Sequence, residues 1–168
     1  LCRGAEERAA LKRSIELLEP LGDNPALARG LAAYAFEEWA SDPAAGLAML
    51  ARAEKMADDL GDQSLRSDVL NNRAAAQFLT HEEWTETMDL ALTAALGVNA
   101  SPQAGRAYAN AYTFYTARFR FAEGERYGLD GIDYCDERDI TTFSTCLRGH
   151  RAIALLDLGR WDEATAIA

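Results

Sequence analysis

The sequence predicts an all-α fold of stacked antiparallel helix pairs, on three observations. Apolar residues recur at helical spacings along the chain, and no period-two alternation of useful length interrupts them. Caps, prolines and glycines punctuate that pattern at short intervals. One junction also repeats. Leu158-Gly159-Arg160-Trp161-Asp162-Glu163-Ala164 reads as a helix stopping at a glycine and the next helix starting at once. Phe121-Ala122-Glu123-Gly124 and Trp84-Thr85-Glu86-Thr87 share its order of aromatic, any residue, Glu, small residue. The aromatics of the three junctions are Trp84, Phe121 and Trp161. Pro43 to Gly46 fills the same slot one interval before Trp84, without the aromatic or the Glu. A period of roughly 40 residues is that of helical-repeat chains, in which each unit buries its apolar face against its neighbours.

The elements follow in order. Ala5 to Glu19 predicts a first helix, with Leu11, Ile15 and Leu18 on one face and Pro20 and Leu21-Gly22-Asp23 ending it. Leu60-Gly61-Asp62 repeats that ending one interval later, so the first helix reads as the second half of a repeat. Asn24-Pro25 opens a helix to about Ala40, and Asp42-Pro43 opens another to Leu60; both use a polar cap followed by proline at the first helical position. Gln63 to Leu79 predicts the next, with Leu65, Val69, Leu70, Ala74 and Phe78 facing inward. Thr80 and Glu83 have capping-box spacing for a helix carrying Trp84, Met88, Leu92 and Leu96 at intervals of four, ended by Gly97. Ser101-Pro102 caps a helix striped by Tyr108, Tyr112, Tyr115 and Phe119. Helices from Phe121 to about Glu137 and from Thr141 to Leu158 follow, and Trp161 starts the ninth.

With 168 residues, a hydrophobic content of 49% and four prolines, the chain is long enough for a core that closely packed alanine helices can share. No apolar run approaches the roughly 20 residues that span a bilayer, and no signal peptide is recognisable. Three cysteines are too few and too odd for a disulfide framework, which fits a reducing, cytoplasmic setting. A net charge of −10 disfavours phosphate contacts, so no nucleic-acid contact and no membrane contact is expected. The chain begins at Leu1 and stops at Ala168 inside an apparent helix. The expectation is therefore one helical-repeat domain over 1–168, a piece of a longer multidomain chain. Its open ends, near Leu11 and Ile15 at one side and Leu155, Leu158 and Ile167 at the other, are expected to self-associate end to end.

The closing junction resembles that of tetratricopeptide repeats, in which Gly, an aromatic, an acid and Ala mark the start of the second helix of a pair. The longer period resembles the MalT-like class of these repeats. Alanine- and arginine-rich repeats ending in Leu-Gly-Asp, with Tyr134-Cys135-Asp136-Glu137-Arg138 and Gly159-Arg160-Trp161-Asp162-Glu163-Ala164, resemble the middle region of large ATP-dependent LuxR-type bacterial transcriptional regulators. The resemblance implies a right-handed solenoid and a non-catalytic scaffold or sensor role between a nucleotide-binding and a helix-turn-helix module. It implies a protein, peptide or small effector in the concave groove, no cofactor in this segment, and no enzyme activity. A stand-alone peptide-binding adaptor is the other reading. Since first helices of each pair line such a groove, Asn72, Arg73, Tyr108, Tyr112 and Tyr115 are the expected groove contacts, offering amide donors and phenol area to an extended backbone. Packing between repeats is the competing role for the tyrosines.

Other constellations carry less chemistry. No phosphate-loop or dinucleotide glycine motif occurs. Gly124, Gly128 and Gly131 share a helix face and predict close approach of a neighbouring helix. Cys146 and His150, four apart, have metal-ligand spacing, with Cys135 and Asp139 upstream, but no third and fourth ligand is fixed. Asp130, Asp133, Asp136 and Glu137 read as a solvated flank, and His81-Glu82-Glu83 lacks the second His of a zinc-protease helix. Asn99-Ala100-Ser101 fits a glycosylation sequon but is followed by Pro102.

Overall fold

The computed structural model describes residues 4–39 and 41–167. Leu1, Ala40 and Ala168, where the sequence places chain ends and a helix boundary, lie outside the described residues. Among those described there are nine α-helices and no strand: α1 (Gly4–Leu18), α2 (Pro25–Trp39), α3 (Pro43–Leu60), α4 (Gln63–Leu79), α5 (Thr85–Gly97), α6 (Ser101–Ala117), α7 (Phe121–Asp136), α8 (Thr141–Asp157) and α9 (Trp161–Ile167). A short 3-10 turn, Glu19–Leu21, follows α1.

The caps explain why several helices start where they do. The side chains of Asn24, Asp42 and Asp62 accept from the backbone N–H three positions on, at Leu27 (3.0 Å), Ala45 (3.0 Å) and Leu65 (2.9 Å), satisfying amides that a helix start leaves without partners. Two expected caps are corrected. The Thr80 hydroxyl donates back to the carbonyls of Ala76 and Gln77, so Thr80 closes α4 and does not open α5. Glu83 instead accepts from Thr85 N–H at 2.9 Å. Ser101 is the first residue of α6, with Ala100 before it making no side-chain cap.

Five helix exits share one geometry. At five junctions an amide reaches back by five positions: Asp62 to Ala57 (3.2 Å), Glu82 to Gln77 (2.9 Å), Arg120 to Tyr115 (2.9 Å), Ile140 to Cys135 (2.9 Å) and Arg160 to Leu155 (2.8 Å). The residue before each is left-handed: Gly61 (φ 62°), His81 (61°), Phe119 (58°), Asp139 (56°) and Gly159 (73°). These are Schellman exits, and glycine fills only two of the five.

The chain divides into two compact units, Leu1–Val98 and Asn99–Ala168. In the first, α2 packs on α1, α3 and α4, while α4 packs on α3 and α5. Leu27, Leu31, Trp39, Leu50, Met56, Leu65 and Val69 form its core with a set of fully buried alanines. In the second, α6 packs on α7 and α8, α7 on α8, and α8 on α9. The expected stripe on α5 is half right: Trp84 and Met88 are buried, but Leu92 is partly covered and Leu96 is exposed, with Ala91 and Ala95 facing inward in their place. Phe119 lies beyond the end of α6 and is 74% exposed, so the aromatic stripe stops at Tyr115. Leu155, expected near an open end, is buried, whereas Leu158 is exposed.

Candidate functional site

The five residues expected to line a groove fall in separate units. In the first, Asn72 is buried on α4, and Arg73 is half-buried and ion-paired with Glu54 of α3. In the second, Tyr112 and Tyr115 are buried and Tyr108 is half-buried on α6. Their rings are spent on helix packing. A Cβ added at Gly131 would lie 2.7 Å from Tyr108 Cβ, one at Gly128 2.9 Å from Tyr112 Cζ, and one at Gly124 2.7 Å from Tyr115 Cβ. The pairs run in opposite order along α6 and α7, so three tyrosines of one helix sit in three glycine notches of its antiparallel partner. Tyr115 also stacks on Tyr127 with centroids 5.4 Å apart, and Tyr108 packs against Tyr134 at 5.7 Å. Burial pushes the Tyr112 phenol up to about 12, with Glu125 adding to the shift and Arg151 opposing it. Its hydroxyl is buried with no hydrogen-bond partner.

The acidic flank of α7 stays in water, apart from one staple. Asp136 pairs with Arg148 of α8 and accepts from the Ser144 hydroxyl at 2.5 Å; these bonds, Arg148 first, hold its carboxyl below the usual range. Cys146 is exposed and His150 half-buried, and burial holds the His150 imidazole below its ordinary value. Among the described residues no group of three or more His, Cys, Asp or Glu side chains converges as a metal site, and no helix is long and apolar enough to cross a membrane.

An open apolar concavity lies in the first unit, where the sequence points to no site. It is a cleft of about 480 Å³ between α1 and α3 with α2 as its floor. Leu31 and Tyr34 of α2 form the floor. One wall is Lys12, Ile15 and Glu16 of α1 with Glu19 just beyond it, the other Ala45, Ala48, Met49 and Arg52 of α3. Both walls are single faces at positions i, i+3, i+4 and i+7. Glu19 and Arg52 form a bidentate ion pair across the cleft, with Arg52 also 3.7 Å from Asp23. A signal for the cleft does exist in Pro43-Ala44-Ala45-Gly46-Leu47-Ala48-Met49-Leu50, which is apolar on more than one face, more than a single core contact requires. A smaller cleft of about 260 Å³ in the second unit is bordered by Phe121, Ala122, Leu155 and Leu158, with Glu125 and Arg160 at its rim.

Comparison with protein-family models, with curated proteins and with solved structures gives no match.

Proposed function

We propose that this chain is a non-catalytic helical-repeat scaffold that takes a protein, a peptide or a small effector, and that it is the middle segment of an ATP-dependent LuxR-type bacterial regulator acting in the cytoplasm. The observation that carries the scaffold reading is the α1–α3 cleft: an apolar, solvent-open concavity whose volume falls in the ~300–1,000 Å³ range of ligand sites. An exit that recurs at five helix ends supports the repeat reading, and a right-handed stack follows from the tetratricopeptide resemblance. The regulator placement rests on the sequence texture alone. The coding sequence on either side tests it. A phosphate loop upstream and a helix-turn-helix downstream are expected, and flanks with neither return the chain to the adaptor reading. In that arrangement DNA contact belongs to another module. Residues 1–168 are therefore expected to show no measurable affinity for duplex DNA at physiological salt, given a net charge of −10. Titration by fluorescence anisotropy checks this, and sub-micromolar binding with a steep salt slope would overturn it.

A further inference from the structure

We infer that the α1–α3 cleft is a site for a small amphipathic carboxylate, its apolar body lying in the trough and its head group meeting Lys12; the inference rests on the scaffold reading above and names the ligand class. Length and closure set the size. Each wall runs from i to i+7, about 10 Å along the axis, over the floor of Leu31 and Tyr34. At the end where both walls reach i+7, Glu19 and Arg52 join across the cleft through two hydrogen bonds. The trough is therefore short and barred at that end. It has no room for a helix or a through-running chain, whereas an extended body of about eight carbons matches its ~10 Å.

The lining suits such a body. Ile15 and Met49 are half-buried, packing on the core with one side and leaving the other to the cleft. Ala48 is exposed and Ala45 half-covered, so neither places a long side chain in the way. The Met49 thioether adapts to irregular shapes.

Charge picks the head group. Lys12, Glu16, Glu19 and Arg52 line the cleft, and by count they cancel. By partner they do not. Glu16 is held by Arg13 at 3.1 Å, while Glu19 and Arg52 hold each other, with Asp23 3.7 Å from Arg52. Among the described residues Lys12 alone of the four makes no ion pair, and it stands exposed at the end of the trough away from the Glu19–Arg52 bar. A carboxylate placed there gains a partner without breaking one. A cationic head finds both acids already taken.

The test compares three probes with one tail and different heads: octanoate, octanamide and octylamine. Each is titrated into the whole chain and followed by the NMR signals of Ile15, Ala45, Ala48 and Met49. Octanoate is expected to shift those signals and to saturate at ~0.1–1 mM, as befits a ligand of few atoms. Octanamide, neutral and of the same shape, should bind about 2–5-fold more weakly, the worth of one exposed ion pair, and octylamine more weakly again. Lys12→Gln should bring octanoate down to the level of octanamide and leave octanamide unchanged. Ala48→Trp, which fills the trough from an exposed position, should weaken all three by ~10-fold or more. Thr145→Trp, at an exposed position of α8, should weaken none. Circular dichroism melts of the variants verify that the fold is kept. Octanoate binding no tighter than octanamide, or unmoved by Lys12→Gln, would overturn the head-group assignment. Octylamine binding tightest would overturn it too, showing that the chain's −10 charge sets the preference. Binding that survives Ala48→Trp would place the probes outside the cleft. Each of these outcomes leaves the scaffold reading standing. No binding by any probe below its micelle concentration would count against the cleft as a ligand site, and so against the scaffold reading itself.

Discussion

The first helix pair of each unit closes in a different way. Between α2 and α3, in the first unit, the contact is largely aliphatic: Leu27, Leu31, Leu50 and Met56 among Ala28, Ala32, Ala35, Ala53 and Ala57, with one aromatic, Trp39, whose ring lies 3.1 Å from where a Gly46 Cβ would be. Between α6 and α7, in the second, three tyrosines enter three glycines. Alanine on alanine brings two helices together with small residues on both sides. Tyrosine on glycine reaches close packing with a large residue on one side and none on the other. One exit ends α3 and α4 in the first unit and α6, α7 and α8 in the second, so it recurs whatever fills the space between the helices. The second pair is the less forgiving, because it has three notches that accept no added carbon, whereas the first has one, at Gly46, where a Cβ would lie 3.0 Å from Ala35 O, and an alanine face elsewhere with some freedom to shift.

The largest contrast expected is between the two tryptophans at equivalent junctions. Trp84 is 5% exposed, with Phe78 edge-on at 6.2 Å, whereas Trp161 is 68% exposed. Trp84→Ala should cost about 3–5 kcal/mol and Trp161→Ala under about 1 kcal/mol, measured by urea unfolding. Equal losses would mean that the two junctions are not buried as described. Next come the glycines. Gly131→Ala puts a Cβ 2.7 Å from Tyr108 Cβ, which is fixed next to the backbone, and 3.0 Å from Cδ1 of the fully buried Leu147. A loss of about 1–3 kcal/mol is expected, outweighing the better helix propensity of alanine. Gly149→Ala, at an exposed position of α8 where an added Cβ meets nothing within 4 Å, should instead gain about 1 kcal/mol. If both substitutions stabilised the protein, the notch account would be wrong.

How much of this is legible in the sequence depends on where the cause lies. Helix starts with their own chemistry are legible: Asn24 and Asp42 cap as their pairing with proline implies, whereas Asp62, read as part of a helix ending, also caps the helix that follows. Thr80 misleads because a threonine between two helices can bond backward as well as forward, and only the structure says which carbonyls are near. Exits at Gly61 and Gly159 are visible as glycines, but the same left-handed turn at His81, Phe119 and Asp139 leaves no residue signature. The glycine face of α7 announces a close neighbour. That its occupants are the tyrosines expected in a groove depends on register between two helices, which spacing within one helix does not fix. The apolar excess of Pro43 to Leu50 hints at the α1–α3 cleft, but its walls and floor exist only once three helices are placed side by side.

Phe119 sharpens the comparison of exits. It occupies the left-handed slot that glycine fills at Gly61 in the first unit, and its exposed ring meets Phe121 edge-on at 6.0 Å. A non-glycine residue in that conformation costs roughly 1–2 kcal/mol, part of which glycine would return as greater freedom in the unfolded chain. Phe119→Gly is therefore expected to raise stability by about 0.5–1 kcal/mol, whereas Gly61→Phe should lower it. The pair of thermal melts checks the prediction, and a loss at both positions would show that the Phe119 ring contributes more than its backbone costs.

The smallest effect expected is a pH dependence confined to the second unit. His150 sits half-buried on α8, and burial holds its imidazole below the ordinary value of about 6.5. A histidine whose pKa is lower folded than unfolded takes up its proton more readily when the chain unfolds. Its contribution to stability is then fully present above the unfolded value and is lost as pH falls through the folded one. His150→Gln removes that titration while keeping a polar side chain of similar reach. Urea midpoints of parent and variant are expected to run parallel above about pH 7 and to diverge below about pH 6, with the parent losing more. Carboxylates common to both proteins cancel in the difference, so the divergence isolates the imidazole. Parallel curves down to the acid limb would mean that water reaches His150 freely and that α8 is less closely covered at that position than described.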